Sequence, residues 1–238
     1  FFRSRKGKNI ISPKKNLSFS ENFFHMCFGK VPRKEIVKAF DVSLILYAEH
    51  SFNVSTFTAR TITSSLSDIH GAITGAIASL KGPLHGGANE QVMHMMNKIK
   101  KPKNAQKWIN NAIDNKEVIM GFGHRVYKKG DSRVPTMEKY FKKVSLIKGD
   151  KKFIKIYDIV KKVMIDKKDI HPNVDYTIGP TYHLMGFDTD FFTPIFVISR
   201  IIGWSAHIME QHTANKLIRP LSKYSGNKHR RVLLLNQR

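Results

Sequence analysis

Residues 82–90 read Gly-Pro-Leu-His-Gly-Gly-Ala-Asn-Glu and stand between a long run of apolar and small residues and a second helical pattern. Pro83 stiffens this corner, while Gly86 and Gly87 permit a sharp bend or the close approach of a ligand. His85 precedes a predicted helix start, where unpaired N–H groups favour negative charge. A proton carrier beside an anion site predicts chemistry on a carbonyl compound. The structural alternative is a helix corner with a surface histidine.

Helix signals dominate on both sides of this corner, and no run alternates as a β-strand does, so the sequence predicts an all-α protein. Gly71 and Gly75, four residues apart, predict the close approach of a second helix. The predicted helices that bear on the argument are one from Ser18 to Gly29, a single deeply packed helix over 56–80, one capped by Asn104, one from Asn173 to Gly186, and one opening at Thr193-Pro194.

The basic balance is the main compositional feature, with a formal net charge of +23 over 238 residues. It admits a nucleic acid, a membrane surface or small anionic substrates as partners. Because the lysines are spread along the chain and are not interleaved with aromatic residues, a solvated surface is favoured. No run of 18 apolar residues predicts a membrane span. The one cysteine, Cys27, excludes an intramolecular disulfide and predicts a reducing, cytoplasmic compartment.

Three residues are candidates for acid–base chemistry. His85 and His124 both lie in glycine-flanked loops, and Asp175 opens an apolar helix. A carboxylate can remove a proton next to a carbonyl, while a histidine hydrogen-bonds the oxygen as it becomes an enolate. The alternative for Asp175 is a carboxylate that only matches the helix dipole.

Arginines are the candidates for binding a dicarboxylate. Arg200 lies inside an apolar run and therefore requires a buried partner such as a carboxylate; an internal salt bridge is the alternative. A metal site is not predicted, because His207, Glu210 and nearby His212 on one helix match no metal-binding motif. The arginines singled out are Arg133, Arg200 and Arg219.

Five motifs, in order along nearly the whole chain, resemble the citrate synthase family, and most closely its bacterial 2-methylcitrate synthase branch. They are LYAEHSFNVSTFTAR (46–60), SLKGPLHGGANE (79–90), IMGFGHRVYKKGDSR (119–133), PNVDYTIGP (172–180) and FTPIFVISRIIGWSAHIMEQ (192–211).

The resemblance implies an all-α homodimer with its active site in a cleft between two domains. The large domain would comprise 1–85 and 182–238, and the small domain 86–181. Since the chain begins at Phe1 without a methionine, we expect the N-terminal part of the large domain to be missing. Whether an organelle-targeting segment precedes it is left open. No cofactor is implied, because the coenzyme A thioester is a substrate.

The resemblance also implies roles for individual residues. His85 stabilises the enol of the acyl-CoA, Asp175 is the base, and His124 polarises the ketone of oxaloacetate. The other substrate-binding residues are His50, Arg133, Arg200 and, across the dimer interface, Arg219. The region that receives coenzyme A is formed by Leu84, Ile119, Met120, Gly121, Phe122 and Gly123.

The expected reaction condenses propionyl-CoA with oxaloacetate and water to 2-methylcitrate and coenzyme A. Condensation of acetyl-CoA to citrate is the alternative, since one methylene changes binding only modestly. A basic helical module that binds nucleic acid is a distant alternative, and it predicts lysines gathered on one face.

Overall fold

The computed structural model describes residues 1–127, 129–227 and 231–237, and within these it is built from α-helices with no β-strand. The expected all-α class is therefore confirmed. The helices are α1 (Phe19–Phe28), α2 (Lys34–Ala48), α3 (Val54–Ser64), α4 (Ile69–Leu80), α5 (Ala88–Ile99), α6 (Pro102–Asp114), α7 (Val134–Lys148), α8 (Lys152–Lys168), α9 (Val174–Met185) and α10 (Phe192–Thr213).

Capping residues set two of the predicted helices. The Ser18 hydroxyl accepts the N–H of Glu21, whose side chain in turn accepts the N–H of Ser18, and the helix ends at Gly29 with φ +78°. Asn173 caps α9 by accepting the N–H of Asp175, and Gly186 closes it. Both predictions are confirmed. The caps provide hydrogen-bond partners for backbone groups that the helix ends would otherwise leave unpaired.

The predicted single helix over 56–80 is wrong. It is two helices, α3 and α4, separated at Leu66, which adopts φ +66°. Asp68 starts α4 by accepting the N–H of Gly71. The two helices pack against each other at Gly75, where a Cβ would collide with Ile62, so the close approach is confirmed there. Deep burial is not confirmed, since Ile77 of α4 is 40% exposed.

Two helix starts also differ from the sequence prediction. Asn104 does not cap α6; the helix begins at Pro102, and the Asn104 amide instead donates to the carbonyl of Ile99 at 3.1 Å. Helix α10 begins at Phe192, directly after a 3₁₀ turn over Thr189–Phe191.

Helix α10 is the longest helix of the described chain and packs against α2, α3, α4 and α5. By length and composition, the stretch Thr189–Thr213 is apolar enough to cross a membrane. Half of its most apolar window is buried inside the protein, however, and Trp204 within it has no exposed surface. This burial is the pattern of a core helix.

A short backbone pairing holds the loop before α7 against the start of α9. The N–H of Gly123 donates to the carbonyl of His171 at 2.8 Å, and the N–H of Asn173 donates to that of Gly121 at 2.9 Å. Gly121 and Gly123 have φ values of +85° and +76°, which side chains with a Cβ rarely adopt. The glycines therefore allow the bend that brings His124 towards α9.

We expect Gly121→Ala to destabilise the fold more than Gly149→Ala. Both glycines have positive φ, which costs an alanine about 1–2 kcal/mol. Only at Gly121 would the new Cβ also meet neighbours, 2.6 Å from Val92 Cγ2 and 2.9 Å from Tyr176 Cβ, which adds about 1–3 kcal/mol. Urea unfolding of both variants of the full-length protein measures the difference. Equal losses would contradict the packing role assigned to Gly121.

Candidate active site

One cavity gathers six of the residues that the sequence singled out for chemistry. The residues that line it come from the loop after α2, the corner before α5, the loop before α7, the start of α9 and the middle of α10. The six are His50, His85, His124, Arg133, Asp175 and Arg200, and Leu84 and Gly123 line the same cavity. This convergence favours an enzyme over a nucleic-acid-binding module, which requires no such cavity.

The glycines of the 82–90 corner serve packing. Gly87 has φ −70°, and the described glycines with positive φ do not include Gly86. A Cβ on Gly86 would lie 2.5 Å from Leu80 Cγ, and one on Gly87 would lie 2.9 Å from the carbonyl oxygen of Lys81. Of the two roles expected from the sequence, the structure supports the sharp bend, because the Cβ positions of both glycines face the end of α4. They let the corner fold back on the end of α4, which holds His85 at the cavity.

His85 is held as a neutral donor. The backbone N–H of Ser55 lies 3.3 Å from its Nε2, with the Ser55 hydroxyl at 2.8 Å. Since a backbone N–H can only donate, Nε2 accepts and the ring proton resides on Nδ1. Trp204 Nε1 donates to the same hydroxyl at 3.1 Å. Burial, then the charges of Arg200 and His50, lower the pKa of His85 to about 4, so the ring is neutral at neutral pH.

His124 is fixed in the opposite tautomer. Its Nδ1 accepts the backbone N–H groups of Val126 at 3.1 Å and Tyr127 at 3.3 Å, which leaves the proton on Nε2. Its ring centre lies 5.0 Å from that of His50, whose buried Nε2 has no hydrogen-bond partner among the described residues. Burial, followed by neighbouring positive charge, lowers the pKa of both rings.

Asp175 is a buried carboxylate whose pKa is raised towards neutral pH. Burial raises its pKa to about 6, while a hydrogen bond from the Tyr47 hydroxyl and the charge of Arg133 oppose that rise. Tyr47 is itself fully buried and receives a hydrogen bond from the Asn89 amide at 3.2 Å. A carboxyl group with this pKa is a stronger base than an exposed one and is still ionised at neutral pH.

Arg133 is oriented by a carboxylate two residues before it. Asp131 accepts Arg133 Nε at 2.9 Å on one oxygen and Nη2 at 2.7 Å on the other. The same carboxylate accepts the backbone N–H groups of Arg133 and Val174, each at 3.0 Å. These donors hold the pKa of Asp131 below its usual value despite burial. Asp175 directly follows Val174, so one side chain fixes both Arg133 and the start of the helix that carries Asp175.

Arg200 does not have the carboxylate partner that the sequence predicted. Its Nε donates to the backbone carbonyl of Tyr47 at 2.6 Å, and its guanidinium lies 4.7 Å from the ring centre of Phe196. It is 1% exposed, and its Nη1 has no hydrogen-bond partner in the described chain. Burial and the charge of Arg133 lower its pKa to about 10. The alternative of an internal salt bridge is also wrong for the described residues.

The remaining candidates lie outside this cavity. Arg219 is exposed in the segment after α10. Ile119 and Phe122 line a second cavity with Lys116, Lys168 and others. Met120 is half-buried, and Gly121 packs against Val92 and Tyr176 as described above.

Sequence reasoning missed four supporting residues: Tyr47, Ser55, Asp131 and Trp204. Asp131 was detectable, because a carboxylate two residues from a candidate arginine can orient it. Tyr47 and Trp204 sit at apolar positions of helices, where nothing in the pattern separates an aromatic core residue from a hydrogen-bond donor.

Comparison with known proteins gives matches over nearly the whole chain. The family model "Citrate synthase, C-terminal domain" matches residues 1–221. The chain is 55% identical over 241 residues to 2-methylcitrate synthase 2 of Corynebacterium glutamicum, covering 99% of this chain and 63% of that protein. It is 51% identical to a citrate synthase of Mycolicibacterium smegmatis, covering 97% and 62%. The chain thus spans about three fifths of the length of these curated relatives.

A solved structure shares the fold. The citrate synthase of Thermoplasma acidophilum, in a ternary complex with carboxymethyl coenzyme A and oxaloacetate, has a TM-score of 0.90 and 36% identity. The match covers 99% of this chain and 64% of that one. The family resemblance read from the five motifs is confirmed.

We expect Tyr47→Phe to raise the pKa of Asp175 above about 6, because the phenol donates to the ionised carboxylate and loses that bond as phenylalanine. A hydrogen bond to a charged group is worth about 1.5–3 kcal/mol, or roughly one to two pKa units. Carboxyl ¹³C NMR of the full-length protein measures the shift.

The matched control for this variant is Tyr157→Phe. Tyr157 is also a buried phenol that donates to a carboxylate, Glu138, at 3.0 Å. It should leave the titration of Asp175 unchanged. An unchanged pKa in Tyr47→Phe would contradict the proposed coupling between Tyr47 and Asp175.

Proposed function

The chain belongs to the citrate synthase family, and on that premise we propose that the protein is a 2-methylcitrate synthase. It condenses propionyl-CoA with oxaloacetate and water and releases 2-methylcitrate and coenzyme A. The observation that carries this proposal is the cavity in which Asp175, with a pKa of about 6, is grouped with two neutral histidines of fixed tautomer.

Oxaloacetate is a dianion, and the cavity offers two cations and an unpaired imidazole nitrogen. Arg200 Nη1 and His50 Nε2 are buried polar atoms without a partner in the described chain. Such atoms are costly unless a ligand satisfies them. We assign the two carboxylates of oxaloacetate to Arg133 and Arg200, with His50 as a further hydrogen-bonding group.

Asp175 is the group that removes the α proton of the acyl-CoA. A thioester is a far weaker acid than a carboxylic acid, so the transfer requires that the enolate be stabilised as it forms. The Nδ1–H of His85 supplies that hydrogen bond to the thioester oxygen. Because His85 stays neutral well above pH 4, it acts as a donor of unchanged charge throughout.

The carbon–carbon bond then forms when the enol carbon attacks the ketone of oxaloacetate. Negative charge develops on the ketone oxygen, the Nε2–H of His124 donates a hydrogen bond to it, and the oxygen takes up a proton to become the hydroxyl of the product. Hydrolysis breaks the thioester with water and releases coenzyme A as the thiol, leaving the new carboxylate on the product. Water has to be excluded until condensation is complete, which is the task of cleft closure.

Coenzyme A is proposed to enter past Leu84, which is 87% exposed at the cavity mouth. Ile119–Gly123 would receive the rest of the molecule. Supporting this assignment, Ile119 and Phe122 line a second cavity with Lys116, Lys168 and Glu117, a combination of apolar wall and net positive charge that suits a nucleotide carrying phosphates. The thioester is a substrate, and we propose no cofactor.

Closure is proposed to move residues 86–181 as a small domain against 1–85 and 182–238. The cavity is compatible with this division, since His50 and His85 come from the first segment, His124, Arg133 and Asp175 from the second, and Arg200 from the third. The boundary at 181 falls within α9, next to Pro180, whose missing N–H weakens the helix at that point.

A homodimer is the proposed assembly, with Arg219 acting in the partner's site. The exposed position of Arg219 outside its own cavity supports this, as do exposed apolar residues on α3 and α4, namely Val54, Phe57, Ile69 and Ile77. A cytoplasmic location is also proposed, supported by the free thiol of Cys27, the one cysteine of the sequence.

We expect propionyl-CoA to give the higher kcat/KM with the full-length protein. The 55% identity to a 2-methylcitrate synthase supports this preference, while 51% identity to a citrate synthase favours acetyl-CoA as the second candidate. One methylene in an apolar pocket is worth about 10- to 200-fold. Steady-state rates with both thioesters at saturating oxaloacetate measure the ratio. A preference for acetyl-CoA would make the protein a citrate synthase.

We expect Asp175→Asn to reduce condensation by roughly 100- to 10,000-fold, the usual contribution of a general base. Oxaloacetate binding should change less than about threefold, because the carboxylate is assigned to the thioester and not to oxaloacetate. Calorimetry with oxaloacetate and a thiol-release assay separate the two effects. Near-normal turnover in Asp175→Asn would overturn the assignment of the base.

A further inference from the structure

The loop between α2 and α3, residues 49–53, carries His50 into the cavity in a strained conformation. Phe52 in this loop has φ +47°, a value that costs a residue with a side chain about 1–2 kcal/mol. Phe52 is also 58% exposed, so burial does not offset that cost. Within the loop, the backbone N–H and the side-chain amide of Asn53 both donate to the carbonyl oxygen of His50, and contacts from outside the loop add to this closure.

Helix α10 supplies those contacts through His207. Its Nε2 lies 3.0 Å from Glu49 Oε1, and its ring lies edge-on to that of Phe52 with centres 5.9 Å apart. One turn earlier, Gly203 allows α10 to approach the loop, since a Cβ there would lie 2.5 Å from the carbonyl oxygen of Ala48. The residues on both sides of His50 are thus seated on one face of α10.

Arg60 of α3 determines which nitrogen of His207 carries the proton. Its Nη1 lies 2.9 Å from His207 Nδ1, 3.2 Å from the His207 carbonyl oxygen and 2.5 Å from Glu210 Oε2. A guanidinium can only donate, so Nδ1 accepts and the proton resides on Nε2, where it is donated to Glu49. The guanidinium also covers the Phe52 ring at 5.2 Å.

We propose that His207 is a positioning residue for oxaloacetate binding: by donating to Glu49 in a tautomer fixed by Arg60, it holds the loop that presents His50. This inference rests on the proposed function, because it assigns His50 to the oxaloacetate site. The side chains facing His207 are Arg60 from α3, Glu49 and Phe52 from the loop, and Glu210 from its own helix. In this tautomer the neutral ring accepts a hydrogen bond from Arg60 and donates one to Glu49.

The test compares His207→Asn with His207→Gln in the full-length protein. The amide of glutamine reaches the position of Nε2 and can still donate to Glu49, whereas the amide of asparagine reaches only that of Nδ1. We expect His207→Asn to weaken oxaloacetate binding about tenfold, since small displacements of a binding group have effects of this order or larger. His207→Gln should stay within about twofold of the unchanged protein. Calorimetry gives Kd for oxaloacetate.

Steady-state kinetics separate positioning from a general loss of structure. The KM for oxaloacetate should rise with the Kd in His207→Asn, while the KM for the acyl-CoA stays constant. Glu49→Ala should reproduce the loss, and the double variant should add little to either single one, as expected for two ends of one interaction. Should His207→Asn fail to fold, Glu49→Ala, on a half-exposed side chain, carries the test alone.

Glu210→Ala is the matched control, because it removes an acceptor of Arg60 and leaves the bond from His207 to Glu49 intact. It should change the Kd less than about twofold. An equal loss in Glu210→Ala, or an unchanged Kd in His207→Asn, would overturn the inference. Absence of oxaloacetate binding in the unchanged protein would instead overturn the proposed function, so the two failures are distinguishable.

Discussion

The buried carboxylate of Asp131 is the constraint on which the site depends. It accepts four hydrogen bonds, three from Arg133 and one from the backbone N–H of Val174. An unpaired carboxylate in this position would be very costly, and four donors offset that cost. Because the donors come from the loop before α7 and the first residue of α9, Arg133 and Asp175 cannot move independently.

Burial and directed hydrogen bonds divide the chemical roles among similar groups. His85 and His124 are both neutral, but the donors around them select opposite tautomers, so each presents a different N–H to the cavity. Burial moves the pKa of Asp175 up and that of His85 down. A base that is still ionised at neutral pH and a donor without charge are the pair that enolate formation requires.

Local signals in the sequence were sufficient for the ends of α1 and α9 and for the six candidate residues that share the cavity. The helix starts depend on Ser18 and Asn173, which accept hydrogen bonds from nearby backbone N–H groups, and the helix ends depend on Gly29 and Gly186. These effects involve only neighbouring residues, so a short stretch of sequence is enough to predict them. The break at Leu66 was missed because its left-handed conformation depends on α4 packing back on α3. The roles of Gly86 and Gly87 were likewise set by Leu80 and Lys81 across the corner.

The prediction of a carboxylate partner for Arg200 was wrong, and the reason bears on function. A buried guanidinium is expected to have a carboxylate, yet here it rests on a carbonyl and an aromatic face with Nη1 unpaired. Burial, and after it the nearby charge of Arg133, lower the pKa of Arg200 to about 10. The fold therefore bears an electrostatic cost that a dicarboxylate would remove. A buried guanidinium without a carboxylate destabilises the fold, and this cost is understandable at a binding site, where the ligand supplies the missing negative charge. An arginine whose role was only to stabilise the core would be expected to have a carboxylate partner in the protein.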